Sequence, residues 1–171
     1  MSQSAKKRYL LNNKININKL KNDAIALPSR YRTWKEFKES FGGNRHYNYE
    51  FCGYKIHIDV KYAFDHFLKN TYNEHRANIN ATILPTLQDP LLVVKGFYEN
   101  KKALTFYKPY INENNIIHIL MYKAVLDENG SYKFRTIYEA HSLNKVFDII
   151  NALDLNTIYF KFEEKTEGSG N

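Results

Sequence analysis

The sequence predicts an α+β fold, with N-terminal helices followed by a twisted antiparallel β-sheet of about four to five strands and a late helix. Three segments before residue 90 carry apolar side chains at helical spacing, whereas four segments after it are β-rich and separated by turn-forming residues. A chain of 171 residues with 43% hydrophobic content suits one compact core. We therefore expect a single α+β domain over residues 31–163, between a basic, Asn/Lys-rich arm (1–30) and a disordered tail (164–171).

The first predicted elements are short helices. Within the arm, scattered Leu and Ile favour one helix near residues 17–24. Thr33 with Glu36 three residues later is the capping-box pattern, and the aromatic residues that follow recur at helical spacing. The sequence therefore predicts a short amphipathic helix that begins at Thr33.

A hairpin and two further helices are expected before residue 90. Residues 47–60 alternate bulky and polar side chains around Gly53, which is typical of a hairpin or of two short strands. Residues 79–88 favour a helix that Pro90 ends. Between them, one helix face is predicted to carry Phe64, Phe67, Leu68 and Tyr72.

Four strands in an antiparallel meander are expected after Pro90, because turn-forming residues separate four β-rich segments. The run from Ile116 to Leu126 is apolar on both alternations, so we place it centrally with both faces covered. Residues 142–155 carry apolar side chains at a helical period after a Ser142 cap, and residues 157–162 predict a last strand.

The composition favours an anionic partner. Lys and Arg number 25 against 18 Asp and Glu, a formal net charge of +7, which suits nucleic acid or an acidic protein. The single cysteine, Cys52, excludes an intramolecular disulfide and a cysteine-built zinc site, as in a chain that folds in a reducing cytoplasm. No apolar run approaches the roughly 20 residues that span a bilayer, so we expect a soluble, cytoplasmic protein.

Metal and cofactor sites are not expected. The six histidines are scattered, and His66 and His75, nine residues apart, lie on opposite sides of an ideal helix. The sequence contains no HExxH or EF-hand pattern and no GxxxxGK[ST] phosphate loop. We therefore predict chemistry that uses neither a metal nor a cofactor.

Phosphate handling without a metal is a stronger hypothesis. Lys108 ends one predicted strand, and Arg135, Thr136 and Tyr138 lie on another strand two positions along. Cations and hydroxyls of this kind bind phosphate if the register brings them together. Alternation puts Thr136 and Tyr138 on one face and Arg135 on the other unless a bulge intervenes. The plainer interpretation is that the cations are solvated and that Thr and Tyr are good strand formers.

Histidines are the natural proton-transfer groups of the chain. His66 lies on a predicted amphipathic helix, His75 in a polar stretch, and His141 at a strand-to-helix turn. His118, within the apolar central strand, fits a satisfied core histidine better. Aromatic residues near Lys108 could stack on bases, although in a chain with 14 tyrosines a core or surface role is the default; these are Tyr98, Phe106, Tyr107 and Tyr110.

The order of these segments resembles the phage- and prophage-associated nuclease domains of the barnase/EndoU/colicin/RelE type. The similarity covers residues 60–147 and rests on the segments "FDHFLKN", "ILPTLQDPLLVV", "ALTFYKPY" and "FRTIYEAHSLNKV", the last after a long apolar strand. The resemblance implies a metal-independent ribonuclease toxin, in which the ribose 2′-hydroxyl attacks the adjacent phosphate. It also implies RNA, including tRNA, as substrate and an acidic immunity protein or antitoxin as partner.

By this resemblance the catalytic residues are a helix histidine, assigned to His66, together with Lys108, Thr136 and Tyr138. Substrate binding would involve Arg135, His75 and Tyr107. The spacing from His66 to the proline at 85 is longer than the family pattern and that from His75 is shorter, so both histidines remain candidates.

Two other functions remain open. A catalytically inactive nucleic-acid- or protein-binding module would keep the basic sheet and show salt-sensitive binding without product formation. A small transferase acting on a nucleotide cofactor is the weaker alternative, because it needs a pocket that the sequence does not display.

Overall fold

The computed structural model describes residues 17–68, 77–140 and 156–162. These residues form an eight-stranded mixed sheet that curls into a half-barrel and carries short helices. The elements in chain order are α1 (Ile17–Asp23), β1 (Ile25–Ala26), α2 (Trp34–Ser40), β2 (His46–Phe51), β3 (Tyr54–Asp59), α3 (Val60–Leu68), α4 (Ile83–Gln88), β4 (Leu92–Tyr98), β5 (Lys101–Ile111), β6 (Ile117–Leu126), β7 (Tyr132–Glu139) and β8 (Thr157–Phe160).

The fold-class prediction was wrong, because strands dominate and they do not form a four- to five-stranded antiparallel sheet after N-terminal helices. The strand order is β2-β3-β7-β6-β5-β4-β8, with β1 paired in parallel to β5 beyond this path. The early hairpin β2–β3 joins the sheet through a parallel pairing of β3 with β7, which aligns Ile56 with Tyr132. Because of this long-range pairing, the early hairpin belongs to the same sheet as the strands that follow Pro90.

The antiparallel meander β4-β5-β6-β7 is confirmed, as is the central place of β6. The backbone conformation of the connecting turns explains why local sequence predicted this pairing. Glu99 and Asn100, between β4 and β5, have φ angles of 49° and 66°, and Cys52 and Gly53, between β2 and β3, have 50° and 83°. Positive φ at both central residues is the signature of the type I′ turn that closes tight hairpins.

The concave face of the sheet holds the main core. Helices α2, α3 and α4 bury aromatic and aliphatic side chains there against β5, β6 and β7. This burial of large apolar surface is the main stabilising term of the fold. The central residues of this core are Phe37, Phe64, Phe67, Leu87, Leu104, Phe106, Leu120, Tyr122 and Phe134.

The convex face carries a second, smaller core. Leu20 of α1 is fully buried there against Leu92, Tyr107 and Ile119. The short helix expected near residues 17–24 is thus confirmed, and it packs on the sheet. At the open edges of the curl, Phe51 of β2 contacts Phe106 and also Tyr159 of β8.

The capping box predicted at the start of α2 is also confirmed. The Thr33 hydroxyl accepts a hydrogen bond from the Glu36 backbone, and the Glu36 carboxylate accepts one from the Thr33 backbone. Among the helices that the structure describes, none is long and apolar enough to cross a membrane. The predicted late helix at residues 142–155, with His141 beside it, and the tail at 164–171 lie outside the described residues, as does His75.

Candidate functional site

Lys108 lies away from the other proposed phosphate ligands. In the sheet Lys108 is opposite Leu120, whereas Thr136 is opposite Lys123, three residues further along β6. With two strand spacings between them, their Cα atoms are about 14 Å apart. The structure therefore does not bring Lys108 together with Thr136.

The Lys108 ammonium group is held by the end of α4. It is 1% exposed, and its Nζ donates to the Asp89 carbonyl oxygen at 2.6 Å and to Asp89 Oδ2 at 3.0 Å. Asp89 Oδ2 also accepts from Lys161 Nζ at 2.9 Å, and Lys161 Nζ lies 2.5 Å from Asp23 Oδ1. These four charges link β5, α4, α1 and the segment after β8.

The charge on Asp89 is favoured by this network. Partial burial alone would raise the pKa of the Asp89 carboxyl, but hydrogen bonds from Lys161 and Lys108 outweigh it and lower the pKa below its ordinary 3.8. Lys108 therefore stabilises an anion of its own chain and has no open face for a substrate phosphate.

A β-bulge changes the alternation of β7. Ala124 is opposite Phe134 and Lys123 is opposite Thr136, so Arg135 is the extra residue. After the bulge Ile137, rather than Tyr138, belongs to the concave core, and Tyr138 lies opposite Met121. Thr136 and Tyr138 therefore keep the common alternation that the sequence predicted, but the bulge shifts both away from the face of Phe134, and it is Thr136 that contacts His66.

His66 and Thr136 are brought together. His66 Nε2 lies 3.0 Å from Thr136 Oγ1, and the Tyr62 ring stacks on His66 with centroids 6.1 Å apart and planes inclined by 18°. Thr136 is buried, His66 is half-buried and Tyr62 is 44% exposed. The histidine thus lies at the margin of the core, where one edge of the site reaches solvent through Tyr62.

Tyr107, expected to bind substrate, is part of the second core. Only 7% of its surface is exposed, and burial together with nearby Tyr138 raises the pKa of its hydroxyl. Its ring packs in the cluster that contains Leu20 and Leu92. Tyr107 is therefore a packing residue in this structure.

The convex face carries a basic patch that consists of Tyr98, Lys123 and Arg135. Strand alternation puts all three side chains on this face, because Tyr122 and Phe134, which directly precede Lys123 and Arg135, and Val93, five residues before Tyr98, belong to the concave core. Lys123 Nζ lies 5.6 Å from the centroid of the Tyr98 ring, and Arg135 Cζ lies 5.2 Å from it. Both distances are within the range of cation–π attraction.

The cations of the basic patch have no acidic partner within the described ranges. The ion pairs there involve other lysines, at positions 61, 108, 133 and 161, and His118. Lys123 and Arg135 are half-buried, so their charges are only partly solvated. Two close, unneutralised cations over an aromatic ring favour an anionic ligand.

One exposed lysine continues the patch to the tip of the β4–β5 hairpin, because Lys101 pairs with Tyr98 and so shares its face. Phe97, which pairs with Lys102, is 74% exposed on the other face of the same tip. A large exposed aromatic ring is unusual unless it contacts a partner. The lysines of the tip are Lys95, Lys101 and Lys102.

Sequence reasoning missed two features of the site. It named Tyr98 as a stacking residue but not Lys123, because Tyr98 and Lys123 meet across β5 rather than along the chain. It also missed the contact between His46 and His57, whose ring nitrogens are 3.1 Å apart. In the described residues no group of three or more His, Cys, Asp or Glu side chains could hold a metal ion.

Comparison of the chain with protein-family models, with curated protein sequences and with solved structures gives no match. The likeness to the nuclease domains therefore stays a prediction.

Proposed function

We propose that this protein binds RNA, in single-stranded form, on the convex face of its sheet. The observation that carries the proposal is the basic patch, in which both Lys123 and Arg135 contact the Tyr98 ring with no carboxylate paired to either cation in the described part of the chain. The formal net charge of +7 adds a favourable long-range field.

The chemistry of the patch matches that of a single strand. Lysine and arginine neutralise phosphates and release counterions, which gives affinity without sequence preference. An aromatic ring such as that of Tyr98 offers a stacking surface for an unpaired base, worth about 1–3 kcal/mol per base. Cations and rings on one hairpin and its neighbouring strands therefore serve the backbone and the bases together.

Salt dependence of binding tests this proposal. Fluorescence anisotropy with a labelled single-stranded RNA of about 12 nucleotides, a length within the usual site sizes, would give the slope of log affinity against log salt concentration. Each phosphate contact contributes about 0.7 to that slope for a single strand. The variant Lys123→Ala/Arg135→Ala is expected to reduce the slope by about 1.4.

The matched control is Arg32→Ala/Lys35→Ala, which also removes one arginine and one lysine. Both side chains are exposed at the start of α2, on the opposite side of the sheet from the basic patch. This control is expected to lose little of the slope. Equal losses in the two double variants would point to a general charge effect and would contradict a binding site at the patch.

RNA cleavage is the second candidate, and the 3.0 Å contact between His66 and Thr136 favours it. A histidine at the margin of the core can transfer the 2′-hydroxyl proton, and the basic patch adjoins it in sequence, since Arg135 directly precedes Thr136. An acidic immunity protein would then compete with RNA for the convex face.

The test of cleavage is incubation of the protein with total tRNA and rRNA in EDTA, followed by detection of 2′,3′-cyclic phosphate ends. His66→Gln is expected to abolish product and Thr136→Val to reduce it, since preorganised groups of this kind contribute about 10²-fold or more. Lys108→Met should retain activity per folded molecule, because Lys108 is bound to Asp89. If the RNA stays intact with wild-type protein, cleavage is excluded and RNA binding is the one proposed function that stands.

A further inference from the structure

Two histidines lie side by side on the first hairpin. His46 of β2 is opposite Asp59 and His57 of β3 is opposite Asn48, so the two rings are diagonal neighbours across the strands. His46 Nδ1 lies 3.1 Å from His57 Nε2, and the rings are nearly parallel, at 16°, with centroids 5.2 Å apart. Their strand neighbours Ile56 and Ile58 are in the concave core, so the histidines lie on the convex face.

We propose that His46 and His57 together bind one divalent transition-metal ion of the Cu²⁺, Ni²⁺ and Zn²⁺ class. Metal–nitrogen bonds of 2.0–2.1 Å separate two imidazole nitrogens on one ion by about 2.9 Å at a right angle and by about 3.4 Å at the tetrahedral angle. The observed 3.1 Å lies between these values. The pair therefore needs only small side-chain rotations to chelate an ion.

The protonation state of the pair suits a metal. In a neutral pair one nitrogen donates its hydrogen to the other, and both can bind a metal once the donor ring alone moves its proton to its other nitrogen. No proton has to leave the protein in that step.

The surroundings limit the site to two protein ligands. Asp59 is near, but its Oδ1 accepts a hydrogen bond from the Tyr62 backbone at the start of α3. Lys133 and Asp127, which also face His57, pair with each other at 3.8 Å. Water would complete the coordination, so we expect weaker binding than at a four-ligand structural zinc site.

Metal preference follows from the donor atoms. Imidazole nitrogen suits Cu²⁺, Ni²⁺ and Zn²⁺, with Cu²⁺ favoured, whereas Mg²⁺ and Ca²⁺ prefer oxygen. A bound ion would connect β2 and β3 on the convex face. Because the unfolded chain lacks this geometry, binding would raise the melting temperature by an amount that grows with the logarithm of the ratio of free ligand concentration to Kd.

Calorimetric titration of NiCl₂ into the full chain without an affinity tag tests the proposal. Wild type is expected to bind one ion, His46→Ala or His57→Ala to bind at least tenfold more weakly, and Mg²⁺ to give no heat and no competition. His118→Ala is the control histidine. His118 is on β6, which β7 separates from the β2–β3 hairpin, and its ring is hydrogen-bonded to Asn112 and Glu139. Equal affinity in wild type and His46→Ala/His57→Ala would overturn the proposal.

A second measurement removes any dependence on how the variants fold. Zinc titration of wild-type protein, followed by the imidazole nitrogen signals in NMR, is expected to shift the signals of His46 Nδ1 and His57 Nε2. If only other histidines shift, the site is elsewhere and the proposal fails. RNA binding does not enter either readout, so this test stands apart from the proposed function.

Discussion

Lys108 is buried but keeps two hydrogen bonds to Asp89, through an ammonium group that is 1% exposed. A buried cation is tolerated only when its charge and its donors are matched. The Asp89 carbonyl at the end of α4 and the Asp89 carboxylate provide that match. Lys108 thus fastens α4 to β5 and has a structural role.

Replacement of Lys108 tests that role. Lys108→Met keeps most of the side-chain volume but leaves the Asp89 carbonyl without its donor, and we expect a loss of about 2–3 kcal/mol in the free energy of unfolding. Half of the Asp89 carboxylate is exposed, which keeps the loss below that of a fully buried pair. Urea denaturation measures it, with Lys102→Met, at an exposed position, as the neutral control. Equal stability of the two variants would contradict the structural role.

Asp89 predicts an acid-sensitive component of stability. Its folded-state pKa is depressed, so the stabilisation is fully present above the ordinary value of 3.8 and is lost as the pH falls through the lower folded-state value. Asp89→Asn should therefore flatten the fall in the free energy of unfolding below pH 4. Denaturation at pH 7 and pH 3 for both proteins checks this, and parallel pH curves would show that Asp89 makes no such contribution.

Sequence information at this scale is reliable where the partners are near neighbours. Thr33 and Glu36 are three residues apart, so their capping box was predictable. The partner of Lys108 is 19 residues away, at the end of a helix whose position the sequence does not give. The sequence predicted that Lys108 ends its strand, as a phosphate ligand or a solvated charge, whereas β5 continues to Ile111 and the packing of α4 pairs the Lys108 ammonium group with Asp89.

At the scale of elements, the capping box of α2 fixes where that helix begins. The helix has only seven residues and buries Phe37 fully in the concave core, so its first turn matters for packing. Thr33→Ala removes an acceptor for a backbone N–H and should lower the free energy of unfolding by about 1 kcal/mol. Urea denaturation against Ser29→Ala, an exposed loop position, gives the comparison. A loss no greater than that of Ser29→Ala would show that the cap is dispensable.

Strand pairing shows which elements were predictable. The meander β4-β5-β6-β7 follows from adjacent segments joined by turn residues, so local patterns suffice. The parallel pairs β3–β7 and β1–β5 join segments far apart in sequence, and no local pattern encodes them. The bulge at Arg135 shifts Thr136 and Tyr138 away from the face of Phe134, and the sequence predicted it only as one of two alternatives.

At the scale of the whole molecule, the two faces of the sheet have different roles. The concave face packs α2, α3 and α4 over a continuous aromatic core, whereas the convex face has α1 at one end and the basic patch at the other. Arg135 and Thr136 are consecutive, yet one contacts Tyr98 and the other His66. The proposed phosphate contact and the histidine contact therefore come from neighbouring residues of one bulge.

The curl of the sheet depends on contacts between strands that share no backbone pairing. Phe51 lies at the end of edge strand β2, and its ring packs edge-to-face on Tyr159 of the other edge strand, β8, with centroids 5.2 Å apart. The same ring lies 5.4 Å from Phe106 of β5. Phe51 thus helps to hold the β2–β3 hairpin, whose backbone is joined to the sheet through two aligned pairs with β7.

Phe51→Ala should open this hairpin before the rest of the molecule unfolds. Truncation of a fully buried phenylalanine to alanine lowers the free energy of unfolding by about 3–5 kcal/mol. Because Phe51 is half-buried, its truncation should lower it by about 2 kcal/mol. Hydrogen exchange is expected to speed up at the β2–β3 backbone amides while those of β5 and β6 keep their protection, because local opening needs less free energy than global unfolding. Phe97→Ala, at a 74% exposed aromatic position, is the control. Uniform loss of protection across all strands would mean instead that the half-barrel unfolds as one unit.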